Sequence, residues 1–179
     1  SFAMLAAGQS VAGVLSRADL AAETATYNIE PTRARTWDAL HTNLPGTAAS
    51  DDLALITGAF LTDAPSHKTS DSKMTSVTQK LAMLWEVPPE YVAAGALTLR
   101  LRALMNTTVA DGTATIDAQV VRRVAPTVDI CATAAQSINS LTAADKDFNL
   151  TATDVVPGDI LYIVITIAIT DTATATAVF

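Results

Sequence analysis

Ile160-Leu161-Tyr162-Ile163-Val164-Ile165-Thr166-Ile167-Ala168-Ile169-Thr170 is the most hydrophobic stretch of the chain, and its content of β-branched residues marks it as a strand. Leu161, Ile163, Ile165, Ile167 and Ile169 fall on one parity, so they share one face of an extended chain. The opposite face carries Ile160, Tyr162, Val164 and Ala168 and is also mostly apolar. A strand apolar on both faces sits centrally in its sheet, or its outer face is buried in an interface. The apolar run is too short to span a membrane, which needs roughly 18 residues.

The same two-residue beat recurs upstream. Val77, Leu81, Met83, Trp85 and Val87 share one parity, and so do Leu97, Leu99, Leu101, Ala103 and Met105. Strands are therefore expected over Val77–Val87, Gly95–Ala110, Thr113–Val124, Lys146–Thr153 and Ile160–Thr170, with Thr172–Phe179 returning as a last strand. Asp111-Gly112 is the strongest short hairpin signal, and a two-residue turn there would place Ala110 opposite Thr113. Met105 would then face Ala118, Ala103 would face Val120, and Leu101 would face Arg122, at the point where the strand runs out toward solvent. On the reverse face Arg100 would oppose Arg123 with Arg102 nearby. Three clustered cations demand carboxylates, from Asp117 or Glu86 or from a neighbouring subunit.

The first half is less regular. Thr26–Glu30 reads as a short strand stopped by Pro31, Thr36–Leu40 as a second, and Leu53–Phe60 as a third broken near Gly58. Leu44–Asp52 is rich in turn formers, and the polar stretch Thr62–Ser76 reads as an exposed loop. Asp129–Leu141 reads as loop with a short strand near Ser137–Ser140. Eight or so strands with scarcely any helix point to an all-β fold, an antiparallel sandwich of jelly-roll type.

Residues 26–179 are expected to form this single domain and residues 1–25 an extended N-terminal arm. Ala18–Thr24 could form a short helix. Phe2, Met4, Leu5, Val11, Val14 and Leu15 are too apolar to stay in water, so the arm is expected to dock on its own domain or on a neighbour. It lacks the basic start of a signal peptide, because its first positive charge is Arg17.

Composition narrows the function classes. Half of the 179 residues are hydrophobic, yet aromatics are only 5% and charged residues 16%. The latter lies below the roughly 25% of an ordinary soluble domain, which suggests an exterior partly covered by other subunits. A net charge of −7 argues against a nucleic-acid binder. A single cysteine, Cys131, excludes an internal disulfide and a cysteine-type zinc site, and fits a small buried hydrophobe. Cytoplasmic folding is the matching expectation.

No reactive constellation stands out. His41 and His67 occur in polar contexts with no nucleophile elbow and no second ligand at helical spacing. Asp51 with Asp52, Asp145 with Asp147, and Asp154 with Asp159 suit turns and caps better than an acid–base pair in a cleft. Trp85 shares the parity of core residues, whereas Trp37 could stack on a sugar. The expectation is no enzyme, no metal and no cofactor.

Certain phrases carry a likeness. Tyr27-Asn28-Ile29-Glu30-Pro31-Thr32 precedes Arg35-Thr36-Trp37-Asp38-Ala39-Leu40, Leu44-Pro45-Gly46-Thr47 and Asp51-Asp52-Leu53. Pro88-Pro89-Glu90-Tyr91-Val92-Ala93-Ala94-Gly95 leads into an apolar strand. Ala135-Gln136-Ser137-Ile138-Asn139-Ser140-Leu141 is followed by Asp147-Phe148 and Pro157-Gly158-Asp159. From about Tyr27 to the C-terminus the chain resembles uncharacterised virion structural proteins of tailed bacteriophages and prophages. The resemblance implies a non-enzymatic role in the virion. A capsid decoration (cement) protein at the capsid surface fits that role best. Such a protein would be a homotrimer that grips the major capsid protein and copies of itself and is made in the host cytoplasm. Phe2, Met4, Leu5, Val11, Val14, Leu15, Arg100, Arg102 and Arg123 are the candidate interface residues. A tail, collar or head-fibre component and a carbohydrate-binding β-sandwich are the alternatives, the latter requiring Trp37 or Tyr162 at the surface.

Overall fold

The computed structural model describes residues 25–57 and 64–172. Among them, antiparallel strands make up nearly all the regular structure, together with one 3₁₀ turn at Pro31–Arg33. In chain order the strands are β1 (Ala54–Ile56), β2 (Ser66–Lys68), β3 (Ser76–Glu86), β4 (Leu97–Ala103), β5 (Gly112–Arg122), β6 (Ala125–Asp129), β7 (Gln136–Ser137), β8 (Ala144–Leu150) and β9 (Ile160–Asp171).

The run that opened the sequence reading, β9, is the centre of the main sheet. Its eleven-residue ladders pair it with β3 on one side, where Leu81 meets Ile165, and with β5 on the other, where Ala118 meets the same Ile165. Strand β6 and the short β7 pair with β5 beyond it. A separate two-stranded sheet joins β4 to β8, and another joins β1 to β2.

Alternation explains the layering. The odd-numbered residues Leu161 to Ile169 of β9 are almost completely buried, while the even-numbered ones are only half-buried. Leu81 and Met83 of β3 and Ile116 and Val120 of β5 lie on the same inner face. Across the core they meet residues carried by the β4–β8 sheet, chiefly Phe148 and Ala103, with Leu97, Leu99 and Leu101 packed at the margin. Two sheets that bury one face each against a shared apolar core form a sandwich-like arrangement. Met105, Val109, Ile138 and Val155 close the gap from the connecting segments.

One buried polar side chain ties the first half of the chain to this frame. Gln79 is 1% exposed on the inner face of β3. Its amide donates to the Ser50 carbonyl at 3.1 Å and its oxygen accepts the Ser70 amide at 2.8 Å. Backbone bonds from Arg35 to Ala82, and from Asp51 and Leu53 to Lys80, cover the free edge of β3. Edge strands left open invite uncontrolled pairing, so this cover has a protective effect.

The pairing expected at Asp111-Gly112 does not form. Strand β4 pairs with β8, and β5 pairs with β9, so Met105–Asp111 crosses between the layers instead of turning back. A type I′ turn needs positive φ at both central residues, and Asp111 does not have it. Asn139 holds the crossing segment by accepting from the Val109 amide and donating to the Val109 carbonyl. The inner-face parity of Ala103 and Met105 survives this change of partner, because burial depends on the face and not on the neighbour.

Other expectations are revised. Thr26–Glu30 and Thr36–Leu40 are not strands; Pro31 starts a 3₁₀ turn and Arg35 makes only isolated bridges. The polar stretch Thr62–Ser76 contributes β2, which is held by β1 and not by its own propensity. Strand β6 begins Ala125-Pro126 at the sheet edge, where a proline is tolerated. The expected helix at Ala18–Thr24, the break at Gly58 and most of the Thr172–Phe179 strand lie outside the described residues.

Candidate interaction surfaces

The three arginines singled out from the sequence do not form one cluster. Arg100 and Arg102 stand on the outer face of the β4–β8 sheet, and Arg123 follows β5 in the other layer. The opposition of Arg100 to Arg123 therefore does not exist. The demand for carboxylates was sound, but the source is different: β8 supplies them in register. Arg100 faces Asp147 and Arg102 faces Asp145.

The Arg100 guanidinium grips Asp147 through two parallel bonds, Nε to Oδ1 at 2.6 Å and Nη2 to Oδ2 at 2.7 Å. Arg102 Nη1 reaches Asp145 Oδ1 at 3.1 Å. Thr98 and Asn149 extend the ladder with a side-chain bond at 3.1 Å. All of it is exposed, so water and salt weaken it, and its main effect is to fix the register of two strands whose only other strand-like contact is the bridge from Cys131 to Leu150.

The Arg100 guanidinium, by hydrogen bond and by charge, holds the Asp147 carboxyl below the ordinary Asp value of 3.8. A carboxylate lowered on folding stabilises the fold above its unfolded pKa, and the contribution disappears as pH falls through the lowered folded value. Acidification from pH 5 to below pH 3 is therefore expected to loosen β4–β8 before the β3–β9–β5 ladders. Amide hydrogen exchange should show protection of Leu99 and Phe148 falling ahead of that of Ile165.

Arg122 is not the solvent-bound residue expected. Its side chain is 16% exposed and its Nε binds Asp159 Oδ2 at 3.0 Å. The same oxygen accepts the Val156 amide and so closes the turn that feeds β9.

The outer face of the main sheet carries no ion-pair ladder among the described residues. Across β3, β9 and β5 its rows read Glu86–Ile160–Arg123, Leu84–Tyr162–Val121, Ala82–Val164–Gln119 and Lys80–Thr166–Asp117. Arg123 joins its row through its amide bond to the Ile160 carbonyl. Leu84 is 45% exposed, and Leu40, at 36%, lines a shallow depression beside it with Ala82, Arg33 and Arg35. The middle of this face is apolar and its corners are charged.

The residues considered for chemistry lie apart. His67 is half-buried, with Nε2 3.1 Å from the Pro31 carbonyl, and burial pushes its pKa below the usual range. His41 is exposed. Trp37 donates to Asp51 at 2.7 Å, and the Lys80 ammonium lies 4.2 Å from its ring centroid, which occupies the face a sugar would need. Asp52, beside them, has its carboxyl pushed up by burial and by the charges of Asp51 and Asp38. Trp85 is half-buried against the core, with Tyr27 packed on it at a tilt. Burial likewise raises the Cys131 thiol, which makes it a weak nucleophile at neutral pH. Among the described residues no three His, Cys, Asp or Glu side chains converge on a common point, and no helix is long and apolar enough to cross a membrane.

Phe2, Met4, Leu5, Val11, Val14 and Leu15 lie outside the described residues. Sequence reading found the arginines through their alternation. The apolar second face of β9, with Tyr162 and Val164, was legible in the sequence; its flanking residues on β3 and β5 needed the identity of both neighbouring strands. The chain matches no known family model and no curated protein.

Proposed function

We propose that the chain is a non-enzymatic virion structural protein of a tailed bacteriophage, a capsid decoration protein that binds the lattice of the major capsid protein. In this reading residues 26–179 are a jelly-roll-type sandwich and residues 1–25 an arm that reaches onto a neighbour. Copies assemble as a homotrimer on the capsid surface. The resemblance of Tyr27 onward to phage virion proteins motivates it, and one structural observation carries it further. The outer face of the central sheet keeps Leu84, Tyr162, Val164 and Val121 half-exposed between charged corners, as a surface gripped by protein would.

A capsid is held by many modest contacts repeated around symmetry axes. An apolar arm adds about 25 cal/mol for each Å² it buries, without a large rigid interface. Deleting residues 1–20 is therefore expected to leave the β-domain folded and to abolish attachment to capsids. Co-sedimentation with particles assembled from the companion major capsid protein measures this directly. Undiminished attachment of the truncated protein would refute the role of the arm. Full-length protein that never sediments with heads but does so with tails would favour a tail or collar position. A glycan-binding module would need Trp37 or Tyr162 as an open platform; Lys80 lies over one face of Trp37, which leaves Tyr162, half-buried, as the ring such a reading would rest on.

A further inference from the structure

Four charges carried by β3, β5 and the residue after β5 alternate in sign around the outer face of the main sheet, with Arg33 and Arg35 lying beside Ala82 and Leu84 at its β3 edge. Glu86 and Arg123 share one row, separated by Ile160; Lys80 and Asp117 share another, separated by Thr166. The members of a row stand two strand spacings apart, about 10 Å, and the two rows lie about 20 Å apart along the strands. None of the four takes part in an ion pair among the described residues, although the Lys80 ammonium lies over the Trp37 ring. Like charges therefore occupy diagonally opposite corners, and unlike charges adjacent corners, of a rectangle whose centre is apolar.

We infer that this face binds a second copy of the same chain about a two-fold axis lying between the two sheets. A rectangle with alternating corners is complementary to itself. With the axis along β9, Glu86 meets Arg123 of the copy and Lys80 meets its Asp117. With the axis across the strands, Glu86 meets Lys80 and Arg123 meets Asp117. Either way all four charges are paired, and Leu84, Tyr162, Val164 and Val121 are covered. Sheets packed face to face keep their strands within about 30° of alignment, which both arrangements permit. The apolar part of the N-terminal arm, residues 1–16, carries no charged side chain, and Arg17, Asp19 and Glu23 together bring a single cation, so the arm laid here would leave at least one of the two acidic corners unanswered.

Size sets the strength. Three strands by about six residues cover on the order of 300–400 Å² per copy, below the ~800 Å² per partner of a standard interface. The pair is thus weak in dilute solution and strengthened where copies are already held side by side, as on a shell. The contact is isologous, so it is separate from the heterologous contact that would close a trimer, and it does not depend on capsid binding.

Sedimentation equilibrium and native mass spectrometry of the purified full chain test it. A monomer–dimer equilibrium is expected, or trimer–hexamer where trimers also form. Asp52 sits beside Lys80 and dilutes that corner, so Glu86 and Arg123 are the better handles. E86K and R123E should each abolish the even-numbered species while leaving the thermal midpoint unchanged. Combining E86K with R123E should restore pairing if the axis follows β9, and combining E86K with K80E if it crosses the strands. Protein lacking residues 1–20 should still pair. Only odd-numbered species at all concentrations, single variants that pair normally, or failure of both combinations would overturn the proposal. Loss of pairing in the truncated chain would assign the face to the arm and overturn it equally.

Discussion

Phe148→Ala is expected to cost about 3–5 kcal/mol, a large share of the roughly 5–15 kcal/mol that holds a typical domain together. Phe148 is fully buried on β8 and projects from the two-stranded β4–β8 sheet into the core against β3, β9 and β5. That small sheet has no further strand to lean on, so its inward residues are what keep it on the main sheet. Removing the largest of them leaves a cavity at the seam between layers, where relaxation by either sheet would break ladder hydrogen bonds. The measurement is chemical denaturation of the wild type, Phe148→Ala and, as a control, Leu141→Ala. Leu141 is 64% exposed and should change stability by less than about 0.5 kcal/mol. Equal effects of the two substitutions would mean that the layers are not joined as described.

Gly112→Ala is the second large effect, at about 2–3 kcal/mol. A β-carbon at Gly112 would fall on the carbonyl oxygen of Thr170 and crowd Val109 Cγ1 at 2.9 Å. The obstacle is backbone of the neighbouring strand, so no side-chain rotation can relieve it. The ladder between β5 and β9 must open at that end, where Thr172 also bonds to the Asp111 carbonyl. Gly46 provides the contrast, because nothing lies within 4 Å of a β-carbon there and alanine should be tolerated. Thermal melts of both variants separate the two cases. A silent Gly112→Ala would contradict the register of β5 on β9.

These two positions also show what a sequence can and cannot reveal. The alternation in β9, β3, β4 and β5 identified the inner face of each, because burial is a property of a strand's own pleat. Pairing was a different matter. Asp111-Gly112 has the composition of a tight hairpin, yet its glycine serves a close approach to Thr170 across the sheet, and only the neighbour reveals that. The arginines followed the same rule: Arg100 and Arg102 required carboxylates, but whether Asp145 and Asp147 or Glu86 and Asp117 supplied them depended on which strand lay alongside. Strand β2 was illegible because Ser66-His67-Lys68 has no apolar beat and is held by β1, with Gln79 fixing Ser70 just beyond its end. The apolar second face of β9 was legible in its own residues, but the charges that frame it were not, since they come from β3 and from β5 with the residue after it, which are distant in sequence.

The central proposal is that this sparsely charged β-domain is held by other subunits on a phage head. Cryo-electron microscopy of the assembled particle tests it most directly. The account predicts density matching residues 26–172 on the outer surface of the capsid, repeated around a symmetry axis and touching the major capsid protein. Particles that lack this chain altogether, or that carry it only inside the head or on the tail, would contradict it.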